Sequence, residues 1–230
     1  MFWNPRYFLI SLPALLLALY AQWKVRSTYR KYLNTPNSEG ISGIQAARML
    51  QRQAGLSLKI EGTRGDLTDH YDPRNQVLRL SSNVAKSSSV GAVAIVAHEF
   101  GHAVQDARAF ALLRLRSGLV PVVNFTSWLG PILFVVGMML SSQSLATIGV
   151  YFFAGAVVFS LLTLPVELDA SRRAISLLKQ SGIVRDREGI RGARKVLSAA
   201  ALTYVAALAQ SLSTMVYYMM MLGGMRRRRR

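Results

Sequence analysis

An internal block of 49 residues, positions 118–166, contains no Asp, Glu, Lys or Arg, which severely limits the folds open to this chain. A helix needs about 20 residues to cross a membrane once, so a block of this length must cross twice and turn back between the crossings. The polar run Ser141-Ser142-Gln143-Ser144 near its middle predicts that turn, with spans near 119–140 and 145–166. The sequence therefore predicts a transmembrane helical hairpin.

Two further stretches, 7–23 and 196–225, also lack charged residues. Only 17% of the chain is charged and 51% is hydrophobic, which is unusual for a soluble domain. The stretch 7–23 lacks a small-residue cleavage site and is interpreted as a retained anchor, with a removed signal peptide as the alternative. The stretch 196–225 is longer than one crossing requires, and is either a tilted span or an interfacial start followed by a crossing. About four spans are predicted.

Loops rich in Lys and Arg stay on the cytoplasmic side of a membrane, and this rule predicts the orientation. Such residues are dense just after the first span, at 24–31, and between the third and fourth apolar segments, at 172–195, so both regions are expected in the cytoplasm. If the last segment crosses once, the arginine tail 226–230 lies outside the cell, against this rule. Either that segment does not cross fully, or the charges near the start of the chain set the orientation and the tail is translocated. The net charge of +17 lies beside apolar spans and no nucleic-acid-binding motif is present, so membrane lipid is the expected partner and nucleic acid is not.

Two histidines four residues apart, His98 and His102, form the most specific motif in the chain, and Glu99 directly follows the first. On a helix this spacing places both imidazoles on one face, at a separation suited to Zn²⁺, with the carboxylate close enough to act on water. Ser89 ends a serine cluster that predicts an N-cap, and small and β-branched residues follow, as expected for a buried helix. The motif therefore favours a hydrolytic zinc site over two histidines that are only hydrogen-bonded in a core.

The motif supplies two protein ligands, whereas catalytic zinc sites normally use three and leave one position open. No histidine follows His102, so a carboxylate has to serve. Glu167 is preferred, because the chain crosses the membrane twice after His102 and returns to the same face, and because the small Ala170 allows a close approach. Asp169 is the second candidate, while Asp106 fits a surface role or one beside the ligands better. The competing interpretation of Glu167 is an ion pair with an arginine at the interface.

The segment 29–117 is long enough to form a water-facing portion. Residues 44–50 have the apolar spacing of an amphipathic helix, while 56–60 and 76–80 alternate like strands. A turn is expected at 62–65. A helix and a short β-element are therefore predicted before the metal helix.

His70 is the third histidine and is followed by Tyr71. Beside the metal, such a pair could hydrogen-bond the oxyanion of a tetrahedral intermediate. Asp69, Asp72 and Pro73 are turn formers, however, and a turn without catalytic function is the competing interpretation.

Several stretches of this sequence resemble the YugP family of membrane-bound neutral zinc metallopeptidases. They are 67–74, 98–105, 115–117 with 120–121, 167–174 and 200–207. The order of parts is also similar to that of HtpX-type and prenyl-protein endopeptidases of the gluzincin clan, in which two spans separate the metal helix from a Glu ligand on a later helix. The resemblance implies that His98, His102 and Glu167 bind zinc and that Glu99 is the base. Those relatives usually carry Asp four residues after the ligand Glu, where this chain has Ser171, so the surroundings of the ligands are expected to differ.

The sequence thus predicts a predominantly α, polytopic helical membrane protein of about four spans with a small α+β zinc-peptidase portion. The expected parts are a membrane anchor (1–28), a cytoplasmic metallopeptidase portion (29–117), the hairpin (118–166), a ligand-bearing helix with a basic loop (167–195), and a C-terminal membrane segment with the arginine tail (196–230). The expected activity is zinc-dependent cleavage of membrane-associated proteins or peptides at the cytoplasmic face of a bacterial inner or cell membrane, with Glu99 as general base. A non-catalytic metal-binding membrane scaffold and a hydrolase of another bond type are the alternatives. No oligomeric state is predicted.

Overall fold

The computed structural model describes residues 5–228, and side chains for residues 9–224. The helices are α1 (Pro5–Leu33), α2 (Gly43–Ala54), α3 (Ser82–Lys86), α4 (Val90–Ala107), α5 (Ala111–Met139), α6 (Gln143–Gln180) and α7 (Arg187–Arg228). The strands are β1 (Lys59–Thr63), β2 (His70–Asp72) and β3 (Val77–Ser81). The protein is therefore predominantly helical with a small sheet, as predicted. The side chains of the arginine tail 226–230 lie outside the described residues.

Three helices are long and apolar enough to cross a membrane, namely α5, α6 and the part of α7 that ends at Gly224. α5 and α6 are separated by residues 140–142, where Ser141 has a φ of +53°, and this turn overlaps the polar run predicted to turn the chain. α5 begins at Ala111, before the predicted span. α1 is not among these three helices, so the described structure supports three of the roughly four predicted spans.

The chain forms two compact units. The helical unit contains the chain up to Ala21, Arg114–Pro165 and the chain from Thr203 onward. The site unit contains Gln22–Leu113 and Val166–Leu202.

In the helical unit, α5 and α6 pack closely because glycines face the neighbouring backbone. A Cβ atom on Gly130 would lie 2.8 Å from the backbone nitrogen of Phe153, and one on Gly149 would lie 2.7 Å from the carbonyl oxygen of Gly130. Small residues at such crossings are typical of membrane helices, since they let two backbones approach. Phe134 of α5 stacks on Tyr218 of α7 with ring centroids 4.0 Å apart, which adds α7 to the packed helices.

The core of the site unit is built around α4. Its residues Val93, Val96 and Phe100 are fully buried among side chains from α2, β3 and the site-unit parts of α6 and α7. Ser89 caps the helix by accepting a hydrogen bond from the backbone N–H of Ala92 at 3.1 Å, as the sequence predicts. The predicted amphipathic helix is α2, which begins with a capping box between Ser42 and Gln45.

The sheet has the order β1-β3-β2, with β1 parallel and β2 antiparallel to β3. β3 lies close to its predicted position, but β1 begins at Lys59 and runs through Gly62, where a turn was expected. Pairing with β3 from Lys59 to Thr63 determines this register, and the alternation of apolar residues in β1 alone does not reveal it. β2 (His70–Asp72) was not predicted as a strand, and its segment was interpreted as either a catalytic His-Tyr pair or a turn.

Candidate metal centre

His98, His102 and Glu167 meet in the site unit, where ligand atoms from all three lie within 4.8 Å of one another. Glu167 Oε2 lies 3.2 Å from His98 Nε2 and 3.5 Å from His102 Nε2. The Glu167 side chain is only 2% exposed, and each imidazole is 12% exposed. These are the three residues that sequence reasoning selects as zinc ligands, and the carboxylate faces the imidazoles.

Two helices supply the three side chains. α4 presents both imidazoles, with ring centroids 4.9 Å apart, and α6 presents Glu167. Gly101 lies between the histidines, and a Cβ atom there would come within 2.7 Å of the carbonyl oxygen of Ala170 on α6. The missing side chain therefore brings the α6 backbone close enough for Glu167 to reach both histidines.

His102 is held from behind by Gln105, whose side chain is completely buried. Gln105 Nε2 donates to the carbonyl oxygen of Val166 at 2.9 Å and to Asp169 Oδ2 at 2.8 Å. Since both N–H groups of the amide are engaged, its Oε1, 3.0 Å from His102 Nδ1, accepts the Nδ1 proton. In the neutral imidazole, Nε2 is then the unprotonated nitrogen, which is the form that binds a metal.

Asp169 continues this arrangement away from the histidines. Arg173 Nε donates to Asp169 Oδ2 at 2.6 Å, and the Arg173 guanidinium lies 5.8 Å from the centroid of the Phe110 ring. The second candidate ligand is therefore an anchor for Gln105. Sequence reasoning missed Gln105, although a glutamine three residues after His102, on a helix with so many apolar residues, was a usable signal.

His98 has a simpler partner. Ser171 Oγ lies 3.3 Å from His98 Nδ1, on the opposite edge of the ring from the Nε2 that faces Glu167. Ser171 is the position at which this sequence differs from the relatives it resembles, which usually carry Asp there. A neutral hydroxyl here can donate or accept one hydrogen bond, according to the His98 tautomer, and contributes no charge.

Glu99 is oriented by β2. The backbone N–H of Tyr71 donates to Glu99 Oε2 at 3.0 Å, and the Tyr71 hydroxyl donates to Asp106 Oδ2 at 2.9 Å. Burial raises the pKa of the Glu99 carboxyl above its usual 4.5, although His98 and His102 oppose this shift. Asp106, which sequence reasoning placed at the surface or beside the ligands, thus holds the strand that orients Glu99.

His70 also lies on β2 but is exposed. Its Nδ1 lies 2.8 Å from the carbonyl oxygen of Thr68, and its Nε2 lies 3.3 Å from an Arg79 guanidinium nitrogen. Asp72 accepts hydrogen bonds from the backbone of Arg74 and from Asn75, as its interpretation as a turn former predicts. Both ring nitrogens of His70 therefore have partners away from the three clustered side chains.

Two imidazole nitrogens and one carboxylate oxygen make a donor set that catalytic zinc sites use, with a further position left for water or substrate. The hydrogen bond from His102 Nδ1 to Gln105 leaves Nε2 available to a divalent cation in the neutral imidazole. The buried Glu167 carboxylate also suits such a cation. The residues present therefore fit a zinc ion.

Comparison with known proteins agrees with this chemistry. A family model described as "Putative neutral zinc metallopeptidase" matches residues 7–223. The chain is 45% identical over 204 residues to "Putative membrane protease YugP" of Bacillus subtilis (strain 168), which covers 88% of this chain and 90% of that protein. No solved structure matches the chain.

Proposed function

Because this chain belongs to the neutral zinc metallopeptidase family, we propose that it is a membrane endopeptidase that cleaves membrane-associated proteins or peptides. The observation that carries the proposal is the meeting of His98, His102 and Glu167 in one cluster with Glu99 on the same helix. Family membership makes peptide bonds the expected target. The apolar helices favour substrates in or near the bilayer.

In this proposal His98, His102 and Glu167 hold the zinc ion, which supplies Lewis acidity toward a carbonyl and a water molecule when bound. Glu99 accepts a proton from the attacking water and later delivers it to the leaving amine. The Tyr71 N–H keeps one carboxylate oxygen of Glu99 fixed during both transfers.

The decisive test is Glu99→Gln, because glutamine matches glutamate in size but cannot accept the proton. We expect full zinc content and no cleavage of a peptide substrate in detergent. Glu188→Gln, which removes a carboxylate whose side chain is 78% exposed, is the matched control and should cleave normally. Near wild-type cleavage by Glu99→Gln would remove Glu99 as the base. A zinc-loaded wild-type protein that cleaves nothing would indicate the metal-binding scaffold instead.

We also propose that α1 is the fourth span. Its leucines are unusually exposed, with Leu9 at 75% and Leu19 at 58%, as expected for side chains covered by lipid. Ser213 of α7 donates to the carbonyl oxygen of Ile10 at 2.8 Å, so α1 packs with the spanning helices.

Four spans together with the positive-inside rule support a cytoplasmic position for the proposed zinc ligands. The chain has no cysteine, so single introduced cysteines report topology without background. Ser57→Cys and Ser176→Cys should be protected from an impermeant thiol reagent in intact cells, while Ser144→Cys in the hairpin turn should be labelled. Labelling of Ser57→Cys but not Ser176→Cys would contradict a shared face, and labelling of both with Ser144→Cys protected would reverse the orientation.

A further inference from the structure

A cavity of about 350 Å³ lies between α6 and α7 in the site unit, apart from the zinc-ligand atoms. On α6 it is lined by Leu168, Arg172 and Ile175, whose spacing of four and three residues puts them on one helix face. α7 contributes Arg194 and Leu197 with the same kind of spacing. The cavity thus combines two guanidinium groups with an apolar wall.

Neither arginine is held in an ion pair. All 11 acidic residues of the chain lie among the described side chains, and none of them pairs with Arg172 or Arg194, although the charge of Arg172 helps to lower the pKa of Asp169. Asp169, which follows Leu168 on α6, is held by Arg173 at 2.6 Å and by Gln105. Two guanidinium groups that line one cavity without an ion-pair partner favour an anionic ligand.

The apolar wall of the cavity, and its position along the chain, indicate which kind of anion would bind. Leu168 is 38% exposed and lies two residues beyond the predicted span 145–166. Ala201, at the α7 side of the cavity, lies next to Leu202, where that helix leaves the site unit. In the proposed topology this level of the chain meets lipid headgroups, and a basic pocket there suits an anionic lipid. We infer that the cavity binds an anionic phospholipid, with its phosphate between Arg172 and Arg194 and its acyl chain along the leucines.

The cavity also reaches the metal centre from behind. Ser171 lines it, and Ser171 Oγ lies 3.3 Å from His98 Nδ1, whereas Glu167 faces Nε2 on the other edge of the ring. The lipid therefore approaches His98 from the Nδ1 edge of its ring, away from Glu167. If the proposed peptidase function holds, the bound lipid touches a residue that orients a zinc ligand.

The test is lipid retention by the purified full-length protein, measured by native mass spectrometry with phosphatidylglycerol and phosphatidylcholine of identical acyl chains. Wild type should retain phosphatidylglycerol preferentially. In R172Q/R194Q its apparent affinity should fall roughly 30-fold, from the loss of two basic residues at an anionic headgroup, while phosphatidylcholine is unaffected. Zinc content and Tm should stay at wild-type values, which shows that the fold is kept.

The matched control is R187Q/R191Q, which removes the same charge from the nearby α7 terminus and should keep phosphatidylglycerol. Equal losses in both double variants would reduce the effect to general charge and overturn the site. Displacement of the lipid by millimolar inorganic phosphate would identify a free anion as the ligand and equally overturn it. Glu99→Gln should retain phosphatidylglycerol like wild type, so the outcome does not depend on whether the protein is a peptidase.

Discussion

His98 and His102 lie one helical turn apart and face the same carboxylate, yet the residues behind them differ. Behind His102, the buried Gln105 makes three hydrogen bonds and leads to Asp169 and Arg173. Behind His98 there is Ser171 at 3.3 Å. A fully bonded buried amide fixes one tautomer and one ring orientation, whereas a rotatable hydroxyl restrains the ring less. His102 is therefore the rigid half of the candidate site and His98 the adjustable half.

The largest expected effect is the difference between removing Glu167, which both histidines face, and removing Asp169, which holds Gln105 behind His102. Glu167→Ala removes the oxygen that both imidazoles face, so bound zinc and cleavage should both be lost. Asp169→Ala leaves all three candidate ligands in place and should keep its zinc, with a loss of affinity of about 10- to 100-fold at most. Zinc stoichiometry of the two purified variants is the measurement. Full zinc in Glu167→Ala with depleted zinc in Asp169→Ala would reverse the two roles.

The rigid half is tested by Gln105→Leu, which keeps the side-chain volume but removes the acceptor for His102 Nδ1. Zinc Kd, measured by competition with a chelator, should rise about 10- to 100-fold because the ring loses its fixed tautomer. Gln53→Leu, on the exposed face of α2, is the control and should bind zinc normally. An unchanged Kd in Gln105→Leu would mean that His102 needs no support, and the comparison would fail.

The adjustable half should respond less. Ser171→Ala removes a single hydrogen bond to His98, and zinc Kd should rise by less than about 10-fold, the lower limit for such partners. Ser171→Asp should tighten zinc binding relative to wild type, because a carboxylate raises the basicity of the imidazole it accepts from. If Ser171→Ala weakens binding as much as Gln105→Leu does, the two halves are equally supported.

The smallest expected effect lies outside both halves. Tyr71→Phe removes the hydrogen bond to Asp106 that helps to hold β2 against α4, and so loosens the backbone contact to Glu99. At about 1 kcal/mol for one hydrogen bond, kcat should fall roughly five-fold with zinc content unchanged. Tyr151→Phe, at a side chain that is 73% exposed, should have no effect. Loss of zinc in Tyr71→Phe would show that β2 supports the ligands as well as Glu99.

Local spacing explains why the α4 part of the site can be predicted. His98, Glu99 and His102 are related by helical periodicity alone, and Ser89 marks where the helix begins. Glu167 lies 69 positions from His98, and its choice depends on counting membrane crossings rather than on any local pattern. Counting membrane crossings can therefore point to a distant residue such as Glu167, because the chain has few carboxylates from which to choose.

Contacts between distant elements explain what sequence reasoning missed. The partners of Gln105 lie 61 and 64 positions along the chain, so a glutamine on α4 could not be assigned to them beforehand. The register of β1 depends in the same way on β3, and β2 became recognisable as a strand only through its pairing with β3. α1 runs unbroken to Leu33, beyond the predicted anchor, although Pro13 lies inside it.

The close contact of Gly101 with Ala170 joins two helices that are made at different times. Glu167 lies 69 residues after His98, so it is synthesised about 3 to 14 seconds later at ordinary rates of translation. In that interval the chain has both histidines and Glu99 but lacks its third candidate ligand, and the α5–α6 hairpin must be made before α6 can dock. The order of synthesis therefore delays the meeting of His98, His102 and Glu167 until the hairpin exists.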